Sequence, residues 1–392
     1  MATIPRLEAR HRPSGLNSGF RCGRLAFTDY VAHSREMIAQ ARVETDAALL
    51  QKIVDGNAPF ELHPAAGFRG GLHQPCRRGV LLTHGLTDSP YFMRHLAGIF
   101  RQHGFRVMAP LLPGHGTRPG DLLEVGWQEW ARAVAYGVEQ LAGEVDEIYL
   151  AGFSAGAALS LHHSLHDRRV RGLFLFSPAL AISSWAALAR LHKLYSWLVP
   201  SARWLDIMPD RDRYKYESFP KNAAAQMHAL IRQLALPGSG TEIPVFAAAS
   251  RDDSTVDSTA TLAFMARAHH PCSRLVLYTT DTQQVPAGIP AEKLELVNST
   301  VPARRILSSA HTAIVLPPDD PYYGVAGEYA NCLHYYPHDM GQYAACNDSA
   351  QAVWLGEITA TNLKAGTLRR LMYNPHFAAL ELSIARFIDS LP

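Results

Sequence analysis

The stretch that most constrains this chain runs over residues 148–159, Ile-Tyr-Leu-Ala-Gly-Phe-Ser-Ala-Gly-Ala-Ala-Leu. Its first half is short and apolar, as suits a strand buried on both faces of a parallel sheet. Its second half is alanine-rich and reads as the start of a helix. Between them lies Gly152-Phe153-Ser154-Ala155-Gly156, a G-x-S-x-G turn. A serine at the tip of so sharp a strand-to-helix turn sits in a strained backbone conformation, with its hydroxyl lifted above the sheet edge. The crowding falls two residues to either side, where only a very small residue lets strand and helix pass closely, and both places are glycine. The helix that follows turns free N–H groups towards a point where negative charge can develop. An ordinary glycine-rich turn has the same letters, so the rest of the chain has to supply the partners such a serine needs.

Residues 79–83 read as a strand, followed by a helix over 91–103, a strand over 105–110 and a helix over 127–142. Strands over 146–151 and 170–176 flank the glycine turn and its helix, and a further strand covers 242–249. This alternation predicts a mostly parallel, doubly wound α/β sheet. The next strand is ambiguous between 274–278 and 304–307. Residues 27–54 read as helical from apolar residues at mixed three-and-four spacing, Tyr30, Val31, Met37, Ile38, Ala41, Leu49, Leu50 and Ile53. The expected organisation is an N-terminal helical extension over 1–75 and a single α/β domain over 76–392. Within that domain, residues 179–240 read as a helical lid insertion, residues 319–370 as an extra segment, and residues 377–388 as a closing amphipathic helix.

The chain has 392 residues and a formal net charge of +2, with no strongly basic run, which argues against a nucleic-acid partner. Its 19 histidines are scattered, without metal-site spacing, and neither a metal nor an organic cofactor is implied. Residues 172–189 are uncharged and apolar enough to raise a membrane-spanning reading. Pro178 interrupts them, and Leu173-Phe174-Leu175-Phe176 reads as a buried strand, so a strand running into the lid is favoured over a stable membrane span. The first twenty residues carry charges and no apolar run, which predicts no signal peptide and a cytoplasmic location. Of the five cysteines, Cys332 and Cys346 share one irregular segment and could pair, but that location favours free thiols.

Three further segments join the glycine turn: His84-Gly85-Leu86-Thr87, Leu111-Leu112-Pro113-Gly114-His115-Gly116, and Ser308-Ser309-Ala310-His311-Thr312-Ala313. With Gly152-Phe153-Ser154-Ala155-Gly156 they resemble the α/β-hydrolase superfamily, and within it bacterial carboxylesterases and monoacylglycerol lipases. The resemblance covers roughly residues 78–316 and the C-terminal helix. It implies an α/β-hydrolase fold and cleavage of a small-molecule acyl ester through an acyl-enzyme. Ser154 would be the nucleophile and His311 the base, because His84 and His115 precede the serine and break the order Ser, Asp, His. Among Asp252, Asp253 and Asp257, the family's Asp followed by two residues and a Val is matched by Asp253-Ser254-Thr255-Val256. Asp253 is therefore the expected acid, Asp252 is the alternative, and Asp257 reads as a helix N-cap. The oxyanion would be held by the backbone N–H groups of Leu86 and Ala155. In the lid, Trp185, Leu188, Leu191, Tyr195 and Leu198 recur at helical spacing, and an acyl-binding face that includes Trp185, Tyr195 and Leu198 is expected. A thioesterase, amidase or acyltransferase would use the same residues, and a non-catalytic binding protein on this fold is the reading from another class.

Overall fold

The computed structural model describes residues 6–65, 76–181, 200–234 and 241–392. Its described residues fall into two compact units, one within 6–174 and 183–238, the other within 175–182 and 239–392.

The first unit opens with α1 (Phe27–Ala41) and α2 (Ala47–Asn57), in the stretch 27–54 expected to be helical. The break has a local cause. Asp46 caps α2 by accepting the N–H groups of Ala48 and Leu49, which starts a new helix there. The buried residues of α1, Phe27, Tyr30, Ser34, Ile38 and Ala41, keep the expected three-and-four spacing. The Tyr30 hydroxyl donates to the Leu111 carbonyl and accepts from the Leu111 N–H, each at 3.0 Å. Ile38 and Val54 pack with Ala58 and Leu111. These helices therefore pack within the same unit as residues 76–174.

The strands of this unit are β1 (Phe60–Leu62), β2 (Cys76–Thr83), β3 (Phe105–Ala109), β4 (Val145–Phe153) and the start of β5 (Val170–Phe176), in the order β1-β3-β2-β4-β5. β2 runs parallel to both β3 and β4, while the short β1, absent from the expected strands, pairs antiparallel with β3. β3 is buried along its whole length, as a parallel strand covered on both faces must be. Helices α3 (Arg94–Gln102), α4 (Trp127–Ala142) and α5 (Ala155–Ser164) alternate with the strands. Between residues 179 and 240 the described part holds β6 (Trp204–Asp206), paired antiparallel with β7 (Phe219–Pro220), and α6 (Lys221–Leu234).

The second unit carries β8 (Val245–Ser250), β9 (Arg274–Thr279) and β10 (Leu294–Asn298), parallel and adjacent in that order. β9 settles the ambiguity in favour of 274–278. Residues 304–307 form no strand; Ile306 makes only single bridges to Val301 and Leu355. α7 (Ser258–Ala266) follows β8 and is capped by Asp257, whose carboxylate accepts the Thr259 N–H.

The extra segment belongs wholly to this unit. It contains α8 (Met340–Asn347) and a parallel pair, β11 (Trp354–Gly356) with β12 (Leu368–Arg370), before the closing helix α9 (Phe377–Asp389). Cys332 and Cys346 form a disulfide, which corrects the expectation of free thiols there. Buried Tyr343 packs with the bridge. Among the described residues, no helix is long and apolar enough to cross a membrane.

Candidate active site

The turn after β4 is as sharp as its letters require. Ser154 sits between strand and helix with φ 55° and ψ −114°, a conformation that costs a non-glycine residue energy. A Cβ on Gly152 would fall 2.3 Å from the carbonyl group of Gly156, and one on Gly156 would fall 2.0 Å from the Thr83 oxygen. The two glycines are thus forced by backbone on both sides, and the close passage they permit holds the serine in its strained pose. Ser154 is 7% exposed. Ala155 opens α5, so its N–H has no acceptor within the helix.

Leu86 lies in the loop that leaves β2 at Thr83, the strand paired with β4 up to Gly152. That loop is pinned from behind. Fully buried His84 accepts the Leu112 N–H on Nε2 at 3.0 Å, so its Nδ1 carries the proton and donates to the Gly85 carbonyl at 2.9 Å. Burial, reinforced by the neighbouring His115, holds the His84 pKa well below its usual range. Burial lowers that of His115 to about 4. Both rings are neutral braces between the two loops near pH 7. Two residues not anticipated from sequence complete the loop. Lys215 pairs with Asp88, which is 1% exposed, and the Tyr216 N–H donates to the Thr87 carbonyl at 2.8 Å.

In the second unit the structure brings Asp253 and His311 together. The His311 ring donates from Nδ1 to Asp253 Oδ2 at 2.6 Å, and both side chains are at least nineteen-twentieths buried (5% and 1% exposed). Asp253 Oδ1 accepts the N–H groups of Thr255 at 2.8 Å and Val256 at 3.0 Å, which gives the D-x-x-V spacing a physical meaning. Burial alone would raise the Asp253 pKa. Attraction to His311 and these hydrogen bonds outweigh it and hold the carboxyl below its usual range. Asp252 points elsewhere, taking hydrogen bonds from Thr280 at 3.2 Å and Ser299 at 3.3 Å, and burial raises its pKa. The geometry favours Asp253 over Asp252.

His311 is also held by its backbone. Its carbonyl accepts the Ser177 hydroxyl at 3.1 Å, and its N–H donates to Glu357 Oε2 at 3.0 Å. Neither partner was anticipated from sequence. Glu357 lies in the extra segment, where nothing in the letters marks it. Trp185, Leu188, Leu191, Tyr195 and Leu198 lie outside the described residues.

Known proteins can be set beside this geometry. A family model described as serine aminopeptidase, S33 matches residues 74–280, more than half of the chain. The chain belongs to this family, and its fold is the α/β-hydrolase fold. The matched residues include Leu86, Ser154 and Asp253, whereas His311 and Glu357 lie beyond them. The chain is 30% identical over 161 residues to a thermostable monoacylglycerol lipase of Bacillus sp. (strain H-257), covering 40% of this chain and 62% of the lipase. It spans less than two thirds of that relative. It is 24% identical over 199 residues to a carboxylesterase of Bacillus subtilis (strain 168), covering 49% of this chain and 76% of that enzyme. Among solved structures, similarity extends to a metagenome-derived lipolytic enzyme from the work on LipS and LipT, at 22% identity and a TM-score of 0.46, covering 57% of this chain and 87% of that one. A monoacylglycerol lipase of Paleococcus ferrophilus is similar at 17% identity and a TM-score of 0.41, covering 56% and 88%.

Proposed function

We propose that this member of the family is a serine hydrolase of carboxylic esters that works through an acyl-enzyme. The observation that carries the proposal is the buried 2.6 Å contact between Asp253 Oδ2 and His311 Nδ1. A carboxylate there selects the tautomer with the proton on Nδ1 and leaves Nε2 as a base. Serine alone is a poor nucleophile near neutral pH and needs such a base.

In the proposed sequence the Ser154 hydroxyl attacks the ester carbonyl carbon while His311 Nε2 takes its proton. The carbonyl oxygen gains the negative charge and is held by the N–H groups of Leu86 and Ala155, each worth about 3 kcal/mol of transition-state stabilisation. The tetrahedral intermediate collapses, the ester C–O bond breaks, and His311 returns the proton to the leaving alkoxide. Water, deprotonated by the same histidine, then attacks the acyl-enzyme and releases the acid and Ser154. Asp253 stays ionised and steadies the imidazolium that forms at each step. The names of the relatives, a lipase and a carboxylesterase, support an ester; the family description names an aminopeptidase and supports an amide as the second reading.

The test is a substrate panel on the purified chain: p-nitrophenyl esters of graded acyl length beside aminoacyl p-nitroanilides. Turnover of esters, lost in Ser154→Ala with the melting temperature kept, is the expected result. Turnover of anilides alone would move the proposal to an amidase, and full ester turnover by Ser154→Ala would end the mechanism. The same panel tests the lid. If Tyr195 helps to bind the acyl chain, Tyr195→Ala flattens the rise of kcat/KM with chain length, each buried methylene being worth up to about 0.8 kcal/mol, and spares the acetyl ester. An unchanged profile with a lower melting temperature would make Tyr195 a packing residue only. The Cys332–Cys346 bridge bears on location: disulfides persist in oxidising compartments and are rare in the cytosol, so it favours the former over the cytoplasm.

A further inference from the structure

We infer that Glu357, held by Arg370, is a positioning residue for His311, and that fixing this histidine is what the extra segment does. The inference rests on the reading of His311 as the base.

Glu357 is completely buried. Burying a carboxylate is costly unless charge and hydrogen bonds compensate it, so its partners show what it is there for. Oε2 accepts the His311 backbone N–H at 3.0 Å. Oε1 accepts the Ile358 N–H at 2.8 Å and pairs with Arg370 Nη2 at 2.7 Å. The same Nη2 donates to the Thr255 hydroxyl at 2.7 Å, and the Thr255 N–H donates to Asp253 Oδ1 at 2.8 Å. Asp253 then holds the His311 ring. Arg370 thereby ties the backbone support of the histidine to its ring support.

The surrounding segment reinforces the same loop. The Leu307 N–H donates to the Leu355 carbonyl at 2.8 Å, and the Leu355 N–H to the Arg305 carbonyl at 2.9 Å. The Glu357 N–H and the Asn362 side-chain amide both donate to the Ser308 hydroxyl at 3.0 Å. Residues 305–311 are thus stitched to β11 and the turn after it. A general base has to stay in place through two proton transfers, and a displacement of about 1 Å costs on the order of a hundredfold in rate. Glutamine at 357 has the right shape but one acceptor oxygen. An NH2 group would then face either the His311 N–H or the Ile358 N–H and Arg370, donor against donor.

The experiment uses the full chain with Glu357→Gln and, as a milder break from the other side, Arg370→Met, whose side chain is 23% exposed in the wild type. Active sites are counted by fluorophosphonate uptake, and kcat and KM are measured on a p-nitrophenyl ester well below the melting temperature. In parallel, the low-field proton signal of His311 Nδ1–H is assigned by its loss in His311→Gln. The expected result is a roughly ten- to hundredfold fall in kcat per counted site for Glu357→Gln with KM little changed. A smaller fall is expected for Arg370→Met, with a shifted or broadened low-field signal in both. Wild-type kcat per site and an unmoved signal, with only a lower melting temperature, would overturn the inference. Where Glu357→Gln does not fold, Arg370→Met decides by the same two readouts. Absence of labelling and of turnover in the wild type would instead sink the proposed function, and the proton signal alone would then decide whether Glu357 positions the histidine.

Discussion

Around Ser154, what sets the geometry lies within residues 148–159 and the strand end at Thr83. Around His311, it is gathered from Ser177, Asp253, Thr255, Glu357 and Arg370, five positions spread over nearly half the chain. The first region is built by exclusion: backbone leaves no room for a Cβ at Gly152 or Gly156, and the serine is forced into its pose. The second is built by compensation: each of two buried carboxylates has a partner, Asp253 in His311 and Glu357 in Arg370. The two regions should therefore fail differently, the first through sterics and the second through charge.

The largest expected effect is on the charge side. Asp253→Asn should cost up to about ten-thousand-fold in kcat/KM, because a neutral amide supports the wrong histidine tautomer. Asp252→Asn should cost far less, since Asp252 contacts Thr280 and Ser299. Steady-state rates on one ester compare the two, and the reverse order would move the acid by one residue. On the steric side, Gly156→Ala should lower stability by about 4 kcal/mol in denaturant unfolding, through collision with the Thr83 carbonyl. A fully stable variant would show that the turn can relax and would erase the contrast.

A smaller effect should come from the bridge. Cys332→Ser should lower the stability of the second unit by about 3 kcal/mol, the value for a closed loop of this size. If the extra segment matters mainly by holding His311, kcat should fall together with stability; an unchanged kcat well below melting would confine the segment's role to residues 355–370. A further effect, about 1 kcal/mol for each pH unit, concerns pH. His115 is lowered to about 4 when folded, from an ordinary value near 6.5, so the unfolded chain takes up the proton first as pH falls. Its stabilising contribution is complete above about 6.5 and is lost towards 4, on the order of 1 kcal/mol per pH unit. Asp253, with a depressed value, loses its contribution only below the carboxylate range. Melting temperatures from pH 7 to 3 should show the histidine step before the acid step, and His115→Asn should shrink the first, leaving the share of His84, without changing the second.

What could be read beforehand follows the same contrast. The turn at Ser154, the strands around it and α4 over Trp127–Ala142 are local patterns, and the structure has them where the letters put them. The D-x-x-V spacing and the cap at Asp257 are local too, and both correspond to hydrogen bonds within three residues. β10 went unread because an edge strand is half-exposed and Leu294-Glu295-Leu296-Val297-Asn298 lacks the apolar run of a buried one. The break between α1 and α2 was legible only through Asp46, because the apolar spacing continues across it. Glu357 and Arg370 were beyond reach: each is an ordinary charged residue in an irregular segment, and only the fold brings them to His311. The pairing of Cys332 with Cys346 turned on the compartment, which composition does not fix.

The central claim is that Ser154 is a nucleophile activated by the Asp253–His311 pair. The most direct measurement is intact-protein and peptide mass spectrometry after treatment with a fluorophosphonate. One adduct per chain is expected, located on Ser154, abolished in Ser154→Ala and slowed by orders of magnitude in His311→Gln. An adduct on another residue, or labelling at the wild-type rate in His311→Gln, would contradict the claim.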